Sequence, residues 1–375
     1  MATMGSIRQI WPQIPVTAGA AMAPEYVRLL DYFTASCHHA GLFSQNAEFA
    51  TTNLAATLGM VPRIRNLAAA TGTPLGQMTR DELLDGLMRN PDPNWRSTTD
   101  THVANSLCLA LSLWLALEIS PSRTPNPGYK PCYKLELDNT TPLSDLIAHA
   151  IPVTAAVRAS AHPHYHRQQQ EQLDSRLTLE YLESYHGFRI AFTDNLAKHL
   201  YLQTGGGQKP LLFVFRLKIF LRNMSVYAQT SPLPPDLVGE ALDTLNLVLP
   251  HQDPDTRKFL DRRDMADVYG LGWGGRPAGR ILDLGRYTYW RDRLEELSAI
   301  VASGPTGLRQ FKPGRGSGAV RDFVNFWMAI VAVIVLALAS LGLSAASVAI
   351  GVMQYKLALA QACATLDSTR IPGWC

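Results

Sequence analysis

Apolar positions recur at helical spacing along most of the chain and give way, near its far end, to a run in which polarity almost vanishes. Tyr26, Leu29, Leu30 and Phe33 mark one buried face of a helix that begins near Pro24. A second helix is predicted over Ala47 to Leu58. Thr79 with Glu82 three residues on is a capping-box pattern, opening a short helix with Leu84, Leu87 and Met88 on its face. Asn90, Pro91 and Pro93 stop it. Val103 to Ile119 contains an apolar run, Leu107 to Leu117, that is too short to cross a bilayer and is expected to be a buried core helix. Pro121 to Pro131 is rich in Pro, Gly and polar residues and reads as a linker. Cys132 to Leu137 alternates as a short strand, and Thr141-Pro142 opens a helix with Leu143, Ile147 and Ile151 on one face.

Farther along, Phe188, Ile190 and Phe192 alternate as a strand. Thr193 or Asp194 is placed to cap a helical turn through Leu196 and His199. Leu200 to Gln203, Gly205 to Gly207 and Leu211 to Phe215 then read as a hairpin. A helix followed by a hairpin is the outline of a winged-helix-like element. Helices are predicted over Pro235 to Leu249 and over Tyr287 to Val301, the latter carrying Trp290, Leu294, Leu297 and Val301 on one face, with Gly270 to Gly279 as a loop between them. The expected fold is mainly α with a small β-hairpin. It comprises a helical region (1–120), a mainly helical region with the hairpin (132–302), a Gly-rich basic tether (303–322), one transmembrane helix (323–355) and a tail (356–375).

The membrane expectation rests on Phe323 to Tyr355, which holds no Asp, Glu, Lys, Arg or His. About 20 helical residues suffice to cross a bilayer core. Arg321 and Lys356 bracket the run, and Phe326, Trp327 and Tyr355 stand where amphipathic rings favour the interface. Arg309, Lys312, Arg315 and Arg321 precede it, against Lys356 and Arg370 after it. That bias puts the body on the cytosolic side, in a tail-anchored or type II arrangement. Ala337, Ser340, Ser344, Ser347 and Gly351 line one helical face of small residues, open to self-association with a second helix or to plain anchoring.

The chain resembles a group of uncharacterised fungal membrane proteins with a helical N-terminal body and one C-terminal transmembrane helix. The resemblance lies in Phe192 to Leu202, Leu212 to Leu221, Leu237 to Phe259, Tyr289 to Leu294, and the span from Phe326 and Trp327 to Tyr355 and Lys356, roughly the last two thirds of the chain. It implies the same architecture and a fungal membrane setting, and assigns no catalytic residue.

Composition narrows the chemistry. A formal net charge of +3 gives no global case for nucleic acid. Lys198, Lys209, Arg216, Lys218 and Arg222 around the winged outline would be its phosphate contacts. Five cysteines include no CxxC pair, which suits a reducing compartment. Cys363 and Cys375, beyond the span, could pair or stay as inert thiols. His162, His164 and His166 share one face of an extended segment and are the only candidate metal ligands raised by spacing, though a solvated loop explains them as well. The glycines around Trp273 lack the Lys-Ser/Thr pair of a phosphate loop, and there is no GxSxG or HExxH. The sequence therefore points to no cofactor. It points to the lipid bilayer as the first partner and to a non-catalytic interaction or scaffold role, with a tethered enzyme whose site is assembled from distant residues, or nucleic-acid binding, as alternatives.

Overall fold

The computed structural model describes residues 4–14, 23–43, 49–51, 53–93, 95, 99–121, 135–153, 172–205, 209–227, 232–277, 279–304 and 317–365. The chain divides into two units, Met1–Pro305 and Thr306–Cys375.

In the first unit, helix boundaries follow local capping chemistry. The predicted Pro24 helix runs over Pro24–Phe43. The helix expected from Ala47 begins instead at Leu54, because Asn53 Oδ1 accepts the backbone N–H groups of Ala55 and Ala56 at 2.9 and 3.3 Å. It continues through Pro62 to Thr71 and ends at Gly72, whose φ of 68° suits glycine. The capping box at Thr79 and Glu82 forms both of its reciprocal bonds and opens Arg80–Arg89. Here Leu83 joins Leu87 in the core, while Leu84 and Met88 pack partly buried against it.

The expected core helix is Asp100–Leu115, with Leu107, Leu111 and Trp114 fully buried. It stops at Ala116 in the left-handed region (φ 51°), short of Ile119. Ile119–Pro121 becomes strand β1, which pairs in parallel with β2, Leu135–Leu137, across the linker segment. The helix predicted after Pro142 covers Leu143–Ala150.

The second sheet has three strands, β3 (Arg189–Thr193), β4 (Tyr201–Gln203) and β5 (Leu211–Phe215), in the order β3-β5-β4. β4 and β5 form the predicted antiparallel hairpin, and β3 lies parallel to β5 on its other edge. Where the winged outline needs a helix, the chain makes one 3-10 turn, Leu196–Lys198. Its cap is Asn195, which accepts from Ala197 N at 3.0 Å, in place of Thr193 or Asp194.

Pro235–Val248 organises this part of the unit. Every residue from Leu237 to Val248 is buried, so the helix has no solvated face. Lys218–Val226, Pro254–Asp261, Ala266–Gly270 and Arg291–Ala302 are further helices of this part, which also holds a short helical segment, Leu179–Tyr181, that runs on into the π-helical turn Leu182–His186. Arg291–Ala302 begins later than the predicted Tyr287, for a reason that lies in Glu240.

The second unit contains one continuous helix, Ser317–Thr365, of 49 residues. It extends the predicted span at both ends. Its Val324–Ala364 stretch is long and apolar enough to cross a membrane and is 0% buried.

Candidate functional site

A helix buried on all sides can keep polar residues only if each finds a partner. Glu240, Asp243, Thr244 and Asn246 each do so, and Asp243 and Asn246 tether the same glycine-rich loop while the other two hold different segments. The Glu240 carboxylate accepts three successive backbone N–H groups, from Thr288 at 2.7 Å and from Tyr289 and Trp290 at 2.8 Å. It thereby caps Arg291–Ala302 from a distance and delays its first turn to Arg291. Burial lifts the carboxyl above its ordinary value, against the three N–H bonds that favour the charged form. Asp243 holds Arg276 in a two-pronged pair at 2.8 and 2.6 Å. A Cβ on Gly239 would lie 3.2 Å from that guanidinium, a tight contact from which the arginine would have to give by a few tenths of an ångström.

Thr244 fixes the state of His199. The threonine hydroxyl donates to Ala241 O at 2.8 Å, so its oxygen must accept from His199 Nε2 at 2.8 Å. His199 Nδ1 in turn accepts from Phe215 N at 3.2 Å, joining β5 to the central helix through a neutral imidazole. Burial, with the Arg293 guanidinium nearby, pulls His199 down to about 3.

Asn246 and Lys218 pin the glycine-rich loop. Lys218 Nζ donates to Asn246 Oδ1 at 2.9 Å and to Gly272 O at 2.6 Å, while Asn246 Nδ2 donates to Trp273 O at 3.0 Å. The loop is thus held by its carbonyls, whereas a phosphate loop works through its N–H groups. Lys218 is 2% exposed, and burial lowers it to about 8.

These positions remove three of the five proposed phosphate contacts. Lys218 is inside, Arg216 is paired with Asp194 at 2.6 Å, and Lys198 is paired with Glu118 at 3.3 Å. Lys209 and Arg222 are exposed.

Two adjoining cavities, of about 400 and about 290 Å³, form a cleft on this unit and share Tyr32, Ser36 and Asp194. Its charged walls are Arg28, Asp31, Arg216, Glu118 and Lys198. Most of these charges are neutralised in place, Arg28 by Asp267 at 3.0 Å and the others by the pairs above. Burial, with the Asp194 carboxylate beside it, raises the Tyr32 hydroxyl and keeps it protonated. The serine hydroxyls serve backbone carbonyls, Ser36 donating to Tyr32 O at 2.9 Å and Ser112 to Cys108 O at 2.8 Å. This arrangement lines the cleft with hydrogen-bonding groups and balanced charge, with neither serine aimed at a general base.

No protein family, curated protein or solved structure matches the chain.

Among the described residues no group of three or more His, Cys, Asp or Glu side chains is placed to hold a metal ion. His162, His164 and His166 lie outside the described residues. Cys37 and Cys108 are buried free thiols, raised by burial to about 11 and about 12. On the long helix, Phe326, Trp327, Tyr355 and Lys356 are exposed, and Phe326 meets Trp327 edge-on at 6.1 Å. The small-residue face is present, but its hydroxyls are turned inward. Ser340 donates to Ala337 O, Ser344 to Ser340 O and Ser347 to Ser344 O, each at 2.9 Å. Sequence reasoning missed the tethers of the central helix. Its one signal was four polar residues inside the otherwise apolar Leu237 to Leu249.

Proposed function

We propose that this is a single-span membrane protein whose helical body faces the cytosol and acts by binding another protein or its own copies, without turnover of a substrate. The observation that carries the proposal is the 41-residue apolar stretch Val324–Ala364, 0% buried, which water would strongly disfavour and a bilayer would cover. The greater positive charge before the span than after it supports the orientation. Cys375, which the sequence offers as a partner for Cys363, lies outside the described residues.

The binding reading draws on the body's buried polar groups, which are engaged in holding its own loops, and on a cleft whose walls are already ion-paired. The test is alkaline carbonate extraction of full-chain membranes followed by protease treatment of sealed vesicles. The chain is expected to stay in the pellet while its body is digested from the cytosolic side. Release into the supernatant would refute the span, and a protected body would refute the orientation. A turnover assay that found activity lost on mutating the Tyr32–Asp194 cleft would refute the non-catalytic role.

A further inference from the structure

We infer that the outer edge of strand β3 is a docking surface for the same strand of a second copy, joining two bodies through one continuous sheet. The inference rests on the binding reading above and names the partner as the chain's own copy. In the order β3-β5-β4 the outer strands are Arg189–Thr193 and the shorter Tyr201–Gln203. Parallel pairing occupies alternate residues of β3. Arg189 N donates to Pro210 O at 2.8 Å and Thr193 O accepts from Arg216 N at 3.0 Å, so Arg189, Ala191 and Thr193 turn their backbone groups toward β5. Ile190 and Phe192 turn theirs outward, and among the described residues nothing bonds to them. Edge strands are ordinarily blunted by proline, lysine, a bulge or a cover, because an open row of N–H and C=O groups recruits another strand. Arg189–Thr193 contains no proline, glycine or lysine, and its register with β5 runs without a bulge.

The edge is complementary to itself. Two antiparallel copies centred on Ala191 bring Ile190 of each opposite Phe192 of the other, as hydrogen-bonded pairs that satisfy every outward N–H and C=O of both residues. Ala191 then faces its own counterpart at the close, non-hydrogen-bonded site, about 4.5 Å between Cα atoms, where a small side chain fits. Ile190 and Phe192 share a face of the sheet with the fully buried Leu212 and Val214 of β5, yet at the edge they are only partly buried. The pairing lays a β-branched side chain against an aromatic ring twice across the seam and covers both. Charge agrees with this register. Arg189, exposed and in no ion pair among the described residues, comes opposite Thr193 of the other copy, which lines the Tyr32–Asp194 cleft. On that cleft Arg28 and Arg216 are matched by Asp267 and Asp194, whereas Asp31 is exposed and has no ion pair among the described residues. Each copy thus brings an unmatched cation to the end of the strand where the other keeps an unmatched carboxylate.

The test is disulfide trapping of the full chain in membranes, with Cys132, Cys363 and Cys375 replaced by serine so that the buried Cys37 and Cys108 are the only native thiols left. Ala191→Cys puts a thiol at the two-fold position, where the Cα spacing suits a disulfide. Arg189→Cys puts one on the same face of the strand but roughly 14 Å from its counterpart in the second copy. Neither position is buried, and both keep their backbone bonds to β5. Under mild oxidation about tenfold more disulfide-linked dimer is expected from Ala191→Cys than from Arg189→Cys. A mixture of Arg189→Cys and Thr193→Cys chains, which the register sets opposite each other, is expected to trap as readily as Ala191→Cys. Equal trapping of Ala191→Cys and Arg189→Cys would reveal chance encounter of copies and overturn the inference. Absence of trapping in both Ala191→Cys and the mixture would overturn it too, by showing the edge unpaired or held by a strand of another protein. Either failure leaves the span, and the binding of another protein, to be judged by the carbonate and turnover tests above.

Discussion

Replacing Glu240 by Gln tests whether the central helix caps its neighbour as the geometry implies. In the native body Oε1 accepts from Tyr289 N and Trp290 N, and Oε2 accepts from Thr288 N. Gln keeps one carbonyl oxygen, which can retain the Tyr289 and Trp290 bonds. Its amide nitrogen then faces the Thr288 N–H, donor against donor. An unsatisfied buried donor costs about 1–3 kcal/mol. The two surviving bonds lose their charge assistance, and the start of Arg291–Ala302 loses a nearby negative charge worth about 0.3–1 kcal/mol. Against this, a neutral amide escapes the desolvation that raises the Glu240 carboxyl. The balance is a destabilisation of about 2–3 kcal/mol, or roughly 5 °C for a body of this size. Urea unfolding of the full chain in detergent micelles, followed by tryptophan fluorescence, would measure it. Trp290, buried beside the cap, is well placed to report the change. A Glu240→Gln midpoint within about 0.5 kcal/mol of wild type would refute the capping role.

Two further predictions concern pH. His199 has a folded-state value of about 3 against an ordinary 6.5, so the unfolded chain takes up the proton first and stability falls as pH drops below 6.5. The loss between pH 7 and pH 5 is about 2 kcal/mol, and chemical unfolding across that range should show it shrinking in His199→Gln. Lys218 is lowered from 10.5 to about 8, so the unfolded chain again holds its proton longer and stability rises with pH between these values. From pH 8 to 9.5 the rise is about 1.5 kcal/mol, and Lys218→Met should flatten it; an unchanged slope in the variant would contradict the assignment.

What the sequence revealed, and what it hid, divides along the range of the interactions. The capping box at Thr79, the hairpin of Leu202 and Leu212 and the unbroken apolar run after Phe323 are set by neighbours a few residues away, and all three were legible. The start of Leu54–Thr71 was misplaced because the apolar pattern before it obscured Asn53, while Pro62 concealed the helix's second half. That half is stabilised from outside. Arg63 reaches Asn90 O at 2.7 Å and Asp92 at 2.8 Å, and Arg65 reaches Gln9 O at 2.7 Å and Ile10 O at 2.6 Å. Arg291–Ala302 was begun too early because the apolar period of Trp290 and Leu294 extends upstream, while Glu240, remote in sequence, occupies the N–H groups of residues 288–290. The same distance hid the His199–Thr244 and Lys218–Asn246 pairs. Spacing can show that Asp243 and Asn246 are unusual inside an apolar helix, but their partners are set by the tertiary fold.

The central claim, a helix crossing the membrane with the body on the cytosolic side, is tested most directly by glycosylation mapping of the full chain in microsomes. Asn139, in an Asn-Thr-Thr sequence, is exposed in the body and serves as the native acceptor; a second acceptor is appended after Cys375. The account predicts modification of the appended site alone. Modification of Asn139 would place the body in the lumen and contradict it.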